Sequence, residues 1–416
     1  MSEPMDLDLD LTLDRWMDAV APERAPASLL EETFSRTMTT SQHRPMPWRR
    51  IRIVARPMAA SRSVAWIALV VLLVIALVAV ALLAGGGGPP RLVVAPSATP
   101  SPSPSPSAPP SGPPPVSITP EATIAFEKPL FMATDGDVPW LINEAGEIVR
   151  LDPTANAIGA SGQVGPPGDP YQSLAATADG VWVTDWDTQH VFRVDPDTLQ
   201  VTETITAGIG LKGLIVTDAG VWVADTRGGA VVRIDPTTNR VAASVPAGFS
   251  GPAGPNWLGS GLGSVWVDIP NNGTVTRINP DTDTVQATIK PPAEFIPCGG
   301  IAVGTDAVWV TGCAEQKQLI RIDPATNTSA VIIKLAGYGY YPTMINGAPW
   351  VSLDRGGPRN GQIVRINPLT DSVDRVLVPD AAFGGGGNLV VAAGAVWVSD
   401  PFNGAVIRLT LSAFGS

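Results

Sequence analysis

Seven tryptophans recur in near-identical settings along this chain: Trp140, Trp182, Trp222, Trp266, Trp309, Trp350 and Trp397, at intervals of 40–47 residues. A fixed period of that length constrains the fold more than composition does. One repeat cannot bury its apolar face alone and must stack on copies of itself. Most of the tryptophans sit in Val-Trp-Val. About eleven residues after most of them comes a variant of Arg-Ile-Asp-Pro, beginning at Arg150, Arg193, Arg233, Arg277, Arg321, Arg365 and Arg408. The last of these lacks Asp-Pro and reads Arg408-Leu-Thr-Leu.

Each repeat predicts four strands. In residues 214–248, Leu214-Ile-Val-Thr and Val221-Trp-Val-Ala are strands joined by the turn Asp218-Ala-Gly. Ala230-Val-Val-Arg-Ile is the third strand and Arg240-Val-Ala-Ala-Ser-Val the fourth, joined by Asp235-Pro-Thr-Thr-Asn. In that turn Pro presets φ and Asn tolerates a positive φ. Four antiparallel strands per period make a propeller blade, so residues 118–416 predict an all-β, seven-bladed β-propeller. Strand alternation puts Trp and its flanking Val residues on opposite faces, and both faces can then pack on neighbouring blades. The last repeat carries no fourth strand. Ala122-Thr-Ile-Ala-Phe-Glu-Lys-Pro is like Ala287-Thr-Ile-Lys-Pro-Pro, a fourth strand in mid-chain, so residues near 118–126 are expected to pair with the third strand of the last repeat.

The stretch Val223-Ala-Asp-Thr-Arg-Gly-Gly-Ala-Val-Val-Arg-Ile-Asp-Pro-Thr-Thr-Asn-Arg-Val resembles the YVTN-type repeat of YncE-like bacterial propellers. It is also similar to the wider group that includes virginiamycin B lyase, and the resemblance covers residues 118–416. For the lyase branch the resemblance implies histidines working with an acid and a metal. His190 is the single histidine of residues 118–416, so that arrangement has no counterpart here, and no catalytic residue, metal or cofactor is assigned. Gly-x-Ser-x-Gly and phosphate-loop motifs are absent.

Residues 64–84 form an uncharged apolar run of 21 residues. At about 1.5 Å per residue such a helix spans a hydrocarbon core of roughly 30 Å. Arg44, Arg49, Arg50, Arg52, Arg56 and Arg62 precede it and only Arg91 follows closely. The positive-inside rule then puts residues 1–63 in the cytoplasm and the propeller outside, in a single-pass membrane protein. Residues 85–117, centred on Pro100-Ser-Pro-Ser-Pro-Ser-Pro, read as a semi-rigid polyproline II stalk. Residues 14–20 and 26–37 have helical spacing, the second with Ser28 and Glu31 as a capping box. Short helices ahead of a span resemble membrane-bound anti-sigma factors, which implies a cytoplasmic protein partner for residues 1–45; the family's zinc-type His/Cys motif is absent.

Loops joining strands one to two and three to four are uniformly short, and the long, divergent loops all belong to the opposite face. Unrepeated residues are free to serve a ligand, so the candidate ligand surface is the long-loop face near the axis. It draws on Tyr171, Phe249, Trp257, Phe295, Tyr338, Tyr340, Tyr341, Arg355, Arg359 and Phe383. The alternative for these aromatics is that they plug the axial channel or pack loops. Asp185, Asp225, Asp268, Asp354 and Asp400 follow the Val-Trp-Val strands and are expected to cap turns. Residues 118–416 carry 29 acidic and 17 basic side chains, a balance of −12, which disfavours nucleic acid as a partner. Cys298 and Cys313 flank a hairpin turning at Thr305-Asp306. If Val303 faces Val308, the two cysteines oppose each other, and an oxidising compartment allows a disulfide.

These readings predict a tethered, non-enzymatic binding module for a cell-envelope ligand. The alternatives are an enzyme of the streptogramin-lyase or lactonase type and a transmembrane sensor working through its cytoplasmic segment.

Overall fold

The computed structural model describes residues 112–165 and 171–415. The expected cytoplasmic segment 1–63, the span 64–84 and most of the stalk lie outside these residues. Among the described residues no helix is long and apolar enough to cross a membrane.

The described chain forms seven antiparallel sheets, one per repeat. The third runs Leu211–Thr217, Gly220–Asp225, Ala230–Asp235 and Arg240–Pro246. The seven first strands are Pro129–Thr134, Tyr171–Thr177, Leu211–Thr217, Leu258–Gly261, Pro297–Val303, Tyr338–Ile345 and Leu389–Ala392. Each packs against the first strands of its two neighbours, so these strands ring the axis and the fold is a seven-bladed β-propeller.

Seven apolar clusters fill the seven joints between blades, and each contains one repeat tryptophan. Trp140 packs on Leu174, Val181 and Val183 of the second blade, Trp222 on Val265 and Val267 of the fourth, and Trp397 on Leu141 and Val149 of the first. Every one of the seven is almost wholly buried.

The arginine of each repeat works at the same joint. It lies directly opposite the tryptophan in the register, as in Trp222↔Arg233 and Trp266↔Arg277. In six of the seven repeats its guanidinium covers the indole: Arg277 lies 4.8 Å from the Trp266 ring centre and Arg193 5.1 Å from that of Trp182. It then reaches across to the tight turn of the next blade. Arg277 donates to Pro324 O at 2.8 Å and Asn327 Oδ1 at 3.1 Å; Arg193 does the same to Pro236 O and Asn239 Oδ1, both at 2.9 Å. Arg408 makes these bonds to Pro153 O and Asn156 Oδ1 of the first blade, which carries the clasp across the closure. The turn is built to receive it. The Asp235 carboxylate accepts the Thr237 N–H at 2.8 Å, and Asn239 sits at φ 55° with its amide facing the guanidinium. Those turn N–H groups hold the exposed carboxyls of Asp152, Asp195, Asp235 and Asp323 below the ordinary aspartate range.

Ala122–Ala125 pairs antiparallel with Ala405–Thr410, with Ile124 opposite Val406, and supplies the fourth strand of the last blade. That blade therefore has no Asp-Pro turn for Arg365 to clasp. Arg365 bonds Asp374 of its own blade instead, and Phe414 of the 3-10 turn Leu411–Phe414 stacks on Trp350 at 4.6 Å. One further strand was not anticipated. Val116–Ile118, assigned mostly to the stalk from composition, pairs in parallel with Ser372–Pro379 and gives the sixth blade a fifth strand.

Cys298 and Cys313 are joined by a disulfide. The register that suggested it holds only in part. Val303 faces Val308 and Ile301 faces Val310, but the ladder then shifts and pairs Pro297 with Gly312. Cys313 lies just beyond its strand, at the head of the 3-10 turn Ala314–Gln316, and the two Cα atoms are 4.9 Å apart.

Candidate binding site at the axial mouth

Most first strands begin at the long-loop face with a bulge. Register shifts fall between Pro129 and Phe131, Tyr171 and Ser173, Leu211 and Leu214, Pro297 and Ile301, and Tyr340 and Thr343. A bulge leaves residues unpaired and re-aims their side chains. Tyr341 is one such residue. Trp257 and Tyr341 meet edge to face at 5.0 Å, and Phe131 packs on both, at 5.3 and 5.4 Å. Gly300, at φ 120°, makes room for this, because a Cβ there would stand 3.0 Å from Tyr341 Cα. Burial pushes the Tyr341 phenol well above the ordinary tyrosine range.

The aromatic trio borders an axial cavity of about 170 Å³. Phe131, Ser173, Gly213, Leu258, Ile301, Thr343 and Asn388 bring all seven blades to its wall.

Beside this cavity lies a cluster that the sequence reading did not single out. Lys212 occupies the bulge of the third blade's first strand. Its ammonium lies 5.4 Å from the Trp257 ring centre and 5.9 Å from that of Trp186. Arg227 packs on Trp186 at 4.4 Å and approaches Asp187 at 3.8 Å. Desolvation lowers the Lys212 pKa, and attraction from Asp268 offsets this only in part.

Asp268 is fully buried. Its Oδ1 accepts the Trp257 N–H at 2.7 Å, while Oδ2 has no hydrogen-bond partner among the described residues. Burial pushes its carboxyl up to about 7 against the pull of that N–H and of Lys212. Asp268 also differs in position from the other aspartates of its group. It stands two residues after its tryptophan, whereas Asp185, Asp225 and Asp400 stand three after theirs. Those three do cap loops: Asp185 accepts the Asp187 and Thr188 N–H groups, Asp225 those of Ile209 and Gly228, and Asp400 that of Gly384. Asp354 accepts the Gly356 N–H.

The expected site residues separate into groups. Trp257 and Tyr341 meet on the axis, with Tyr340 next to Tyr341 at 6.1 Å. Tyr338 is covered by Lys317 at 4.6 Å. Phe249, Arg355 and Arg359 are exposed. Arg355 lines a separate groove of about 800 Å³ between the fifth and sixth blades. Tyr171 opens the first strand of the second blade. Phe295 and Phe383 are buried in the joints with Trp266 and Trp350, so they pack the core and offer no surface to a ligand. His190 opens the third strand of the second blade, 6.0 Å from the Phe192 ring.

A signal for Lys212 was present in the sequence. It is the one charged residue in the seven first strands. A charge there is costly in a strand that rings the axis.

No protein-family model and no curated relative matches this sequence. Among solved structures the chain is similar to hydrazine synthase of Kuenenia stuttgartiensis. The TM-score is 0.57 at 14% identity, over 68% of this chain and 96% of that one. Likeness at that identity shows the propeller fold alone.

Proposed function

We propose that this protein is a non-enzymatic binding module, anchored by one membrane span, whose propeller presents its long-loop face to a cell-envelope ligand. One observation carries the reading: the residues that depart from the repeat gather on that face. Phe131, Trp186, Lys212, Trp257 and Tyr341 converge at the axial mouth. Around them Ile209, Phe249, Ile296 and Phe402 are exposed apolar side chains on long-face loops. Repeated residues are consumed by the joints and turns, which leaves the long-loop face as the variable one. The repeat's likeness to YVTN-type propellers supports a module of this kind, and the arginine-rich flank before residues 64–84 supports the orientation.

The test is pull-down of detergent-solubilised envelope components by the full chain. Substituting Phe249 and Phe402 together by Asp should abolish binding while the melting temperature holds. Equal binding by the variant would refute the assignment of this face. For the anchoring, Ser103→Cys should react with an impermeant thiol reagent once outer barriers are opened, and Ser41→Cys should not. The reverse pattern would overturn the orientation.

A further inference from the structure

A groove of about 800 Å³ opens on the flank of the ring where the fifth and sixth blades meet. Ile333, Leu335, Val364 and Val376 form its floor and belong to the apolar joint around Trp309. Val373 stands in its wall, on the fourth strand of the sixth blade and opposite Ile366. The equivalent residues of the first four blades, Ile158, Val201, Val241 and Val285, are exposed, whereas Val373 is half-buried. Gly112, Pro113 and Pro115 line the same groove as Val373. The chain thus already covers part of the groove with its own residues.

The described residues begin at Gly112, in the groove wall, and residues 1–111 precede it. The parallel ladder to the sixth blade starts at Val116. Pro113, Pro114 and Pro115 cannot extend it, because proline has no N–H to donate. A proline-rich chain freed from a ladder favours polyproline II, with three residues per turn and no internal hydrogen bonds. The groove follows that period: Gly112, Pro113 and Pro115 line it and Pro114 does not. Carried upstream three residues at a time, the inward positions are Pro106 and Pro109, in phase with Gly112 and Pro115, and Ser107 and Pro110, in phase with Pro113. The outward positions, in phase with Pro114, are Ser105, Ala108 and Ser111. Proline rings fall on the groove side, and only serine and alanine on the water side. Residues 92–120 carry no charge, so seating them beside Lys334, Arg355 and Asp371 buries no ion of their own. Attachment through Gly112 also gives an effective concentration on the order of millimolar, which a separate peptide lacks.

We propose that residues 106–111 lie in this flank groove, with Pro106, Pro109 and Pro110 against its apolar floor. At about 3.1 Å per residue these six span roughly 19 Å, close to the length of a six-residue strand. The end of the expected stalk is then part of the propeller surface, and the free tether stops at residue 105. The docking is independent of what the long-loop face binds.

The experiment is double electron–electron resonance on the full chain in detergent, with nitroxide labels at Ser105→Cys and Leu369→Cys. Ser105 is an outward position, Leu369 is exposed, and the native cysteines are bridged to each other. A docked segment gives one narrow distance. Replacing Pro106, Pro109 and Pro110 by Gly, or Val373 by Asp, should release it and broaden the distribution toward about 15 Å, the spread of roughly seven flexible residues. A distribution in the parent chain as broad as that of the glycine variant would overturn the proposal and leave the groove to a separate partner. A narrow distance that both variants leave unchanged would overturn it as well. A narrow distance found only between chains, in mixtures of the two singly labelled proteins, would give the groove to a second copy and reject the docking within one chain. Should Val373→Asp fail to fold, the glycine variant decides, because it leaves every described residue in place.

Discussion

Replacing Asp268 with asparagine should make the propeller more stable at pH 8 and change little at pH 4. The carboxyl is fully buried and titrates at about 7, against an ordinary value of 3.8. The folded chain therefore holds this proton more tightly than the unfolded chain does. Stability from this group is fully present below 3.8, falls as the pH rises between the two values, and is level above about 7. A difference of that size corresponds to on the order of 4 kcal/mol between the ends of the window. Asparagine keeps an oxygen for the Trp257 N–H, which Asp268 accepts at 2.7 Å, and has no charge to bury. The assay is urea unfolding of wild type and Asp268→Asn at several pH values between 4 and 8. The wild-type curve should lose ground steadily to the variant as the pH rises. Identical pH dependence in the two proteins, or a wild type that gains on the variant, would refute the argument and return Asp268 to an ordinary solvated carboxylate.

The arginine clasp predicts unequal costs for equivalent residues. Arg277→Ala loses the bonds to Pro324 and Asn327 and the cover over Trp266, and should cost about 1–3 kcal/mol, whereas Arg365→Ala, which breaks no clasp between blades, should cost less. Thermal melts of the pair decide it, and equal losses would deny the clasp its role. Deleting residues 116–125 removes both N-terminal strands and leaves the edge Ala405–Thr410 unpaired, so aggregation or a clearly lower Tm should follow; an unchanged Tm would show that closure contributes nothing. The Cys298–Cys313 bridge should appear as one linked peptide pair when the purified protein is digested without reduction. Replacing both cysteines by serine should cost no more than about 3 kcal/mol, the chain-entropy ceiling for a loop of about 15 residues.

The blades were legible because their chemistry is repeated. Val-Trp-Val, the arginine opposite it and the Asp-Pro turn each solve a local problem the same way in most repeats, and the closing strand shows itself by its likeness to Ala287-Thr-Ile. The site was harder to read for the opposite reason. Lys212, Trp186, Trp257 and Tyr341 come from different blades and meet only once the ring is closed, with Lys212 and Tyr341 set in bulges of their first strands. Phe295 and Phe383 stand in long, unrepeated loops and so looked like surface, yet each loop dips back to fill a joint. Asp268 looked like a turn cap because it follows Val-Trp-Val, and a difference of one position along an alternating strand was enough to change its role.

The two N-terminal strands also set the order in which the domain would give way under tension. A pull transmitted along the chain through residue 112 first meets the pairs Val116↔Leu377, Ser117↔Val378 and Ile118↔Pro379, with Thr119 bonded to Asp380 behind them. Only after that short ladder yields does load reach Ala122–Ala125, the strand that holds the ring shut. The parallel strand on the sixth blade thus acts as a mechanical fuse: it parts before the ring opens, and its detachment leaves all seven blades and the axial mouth intact.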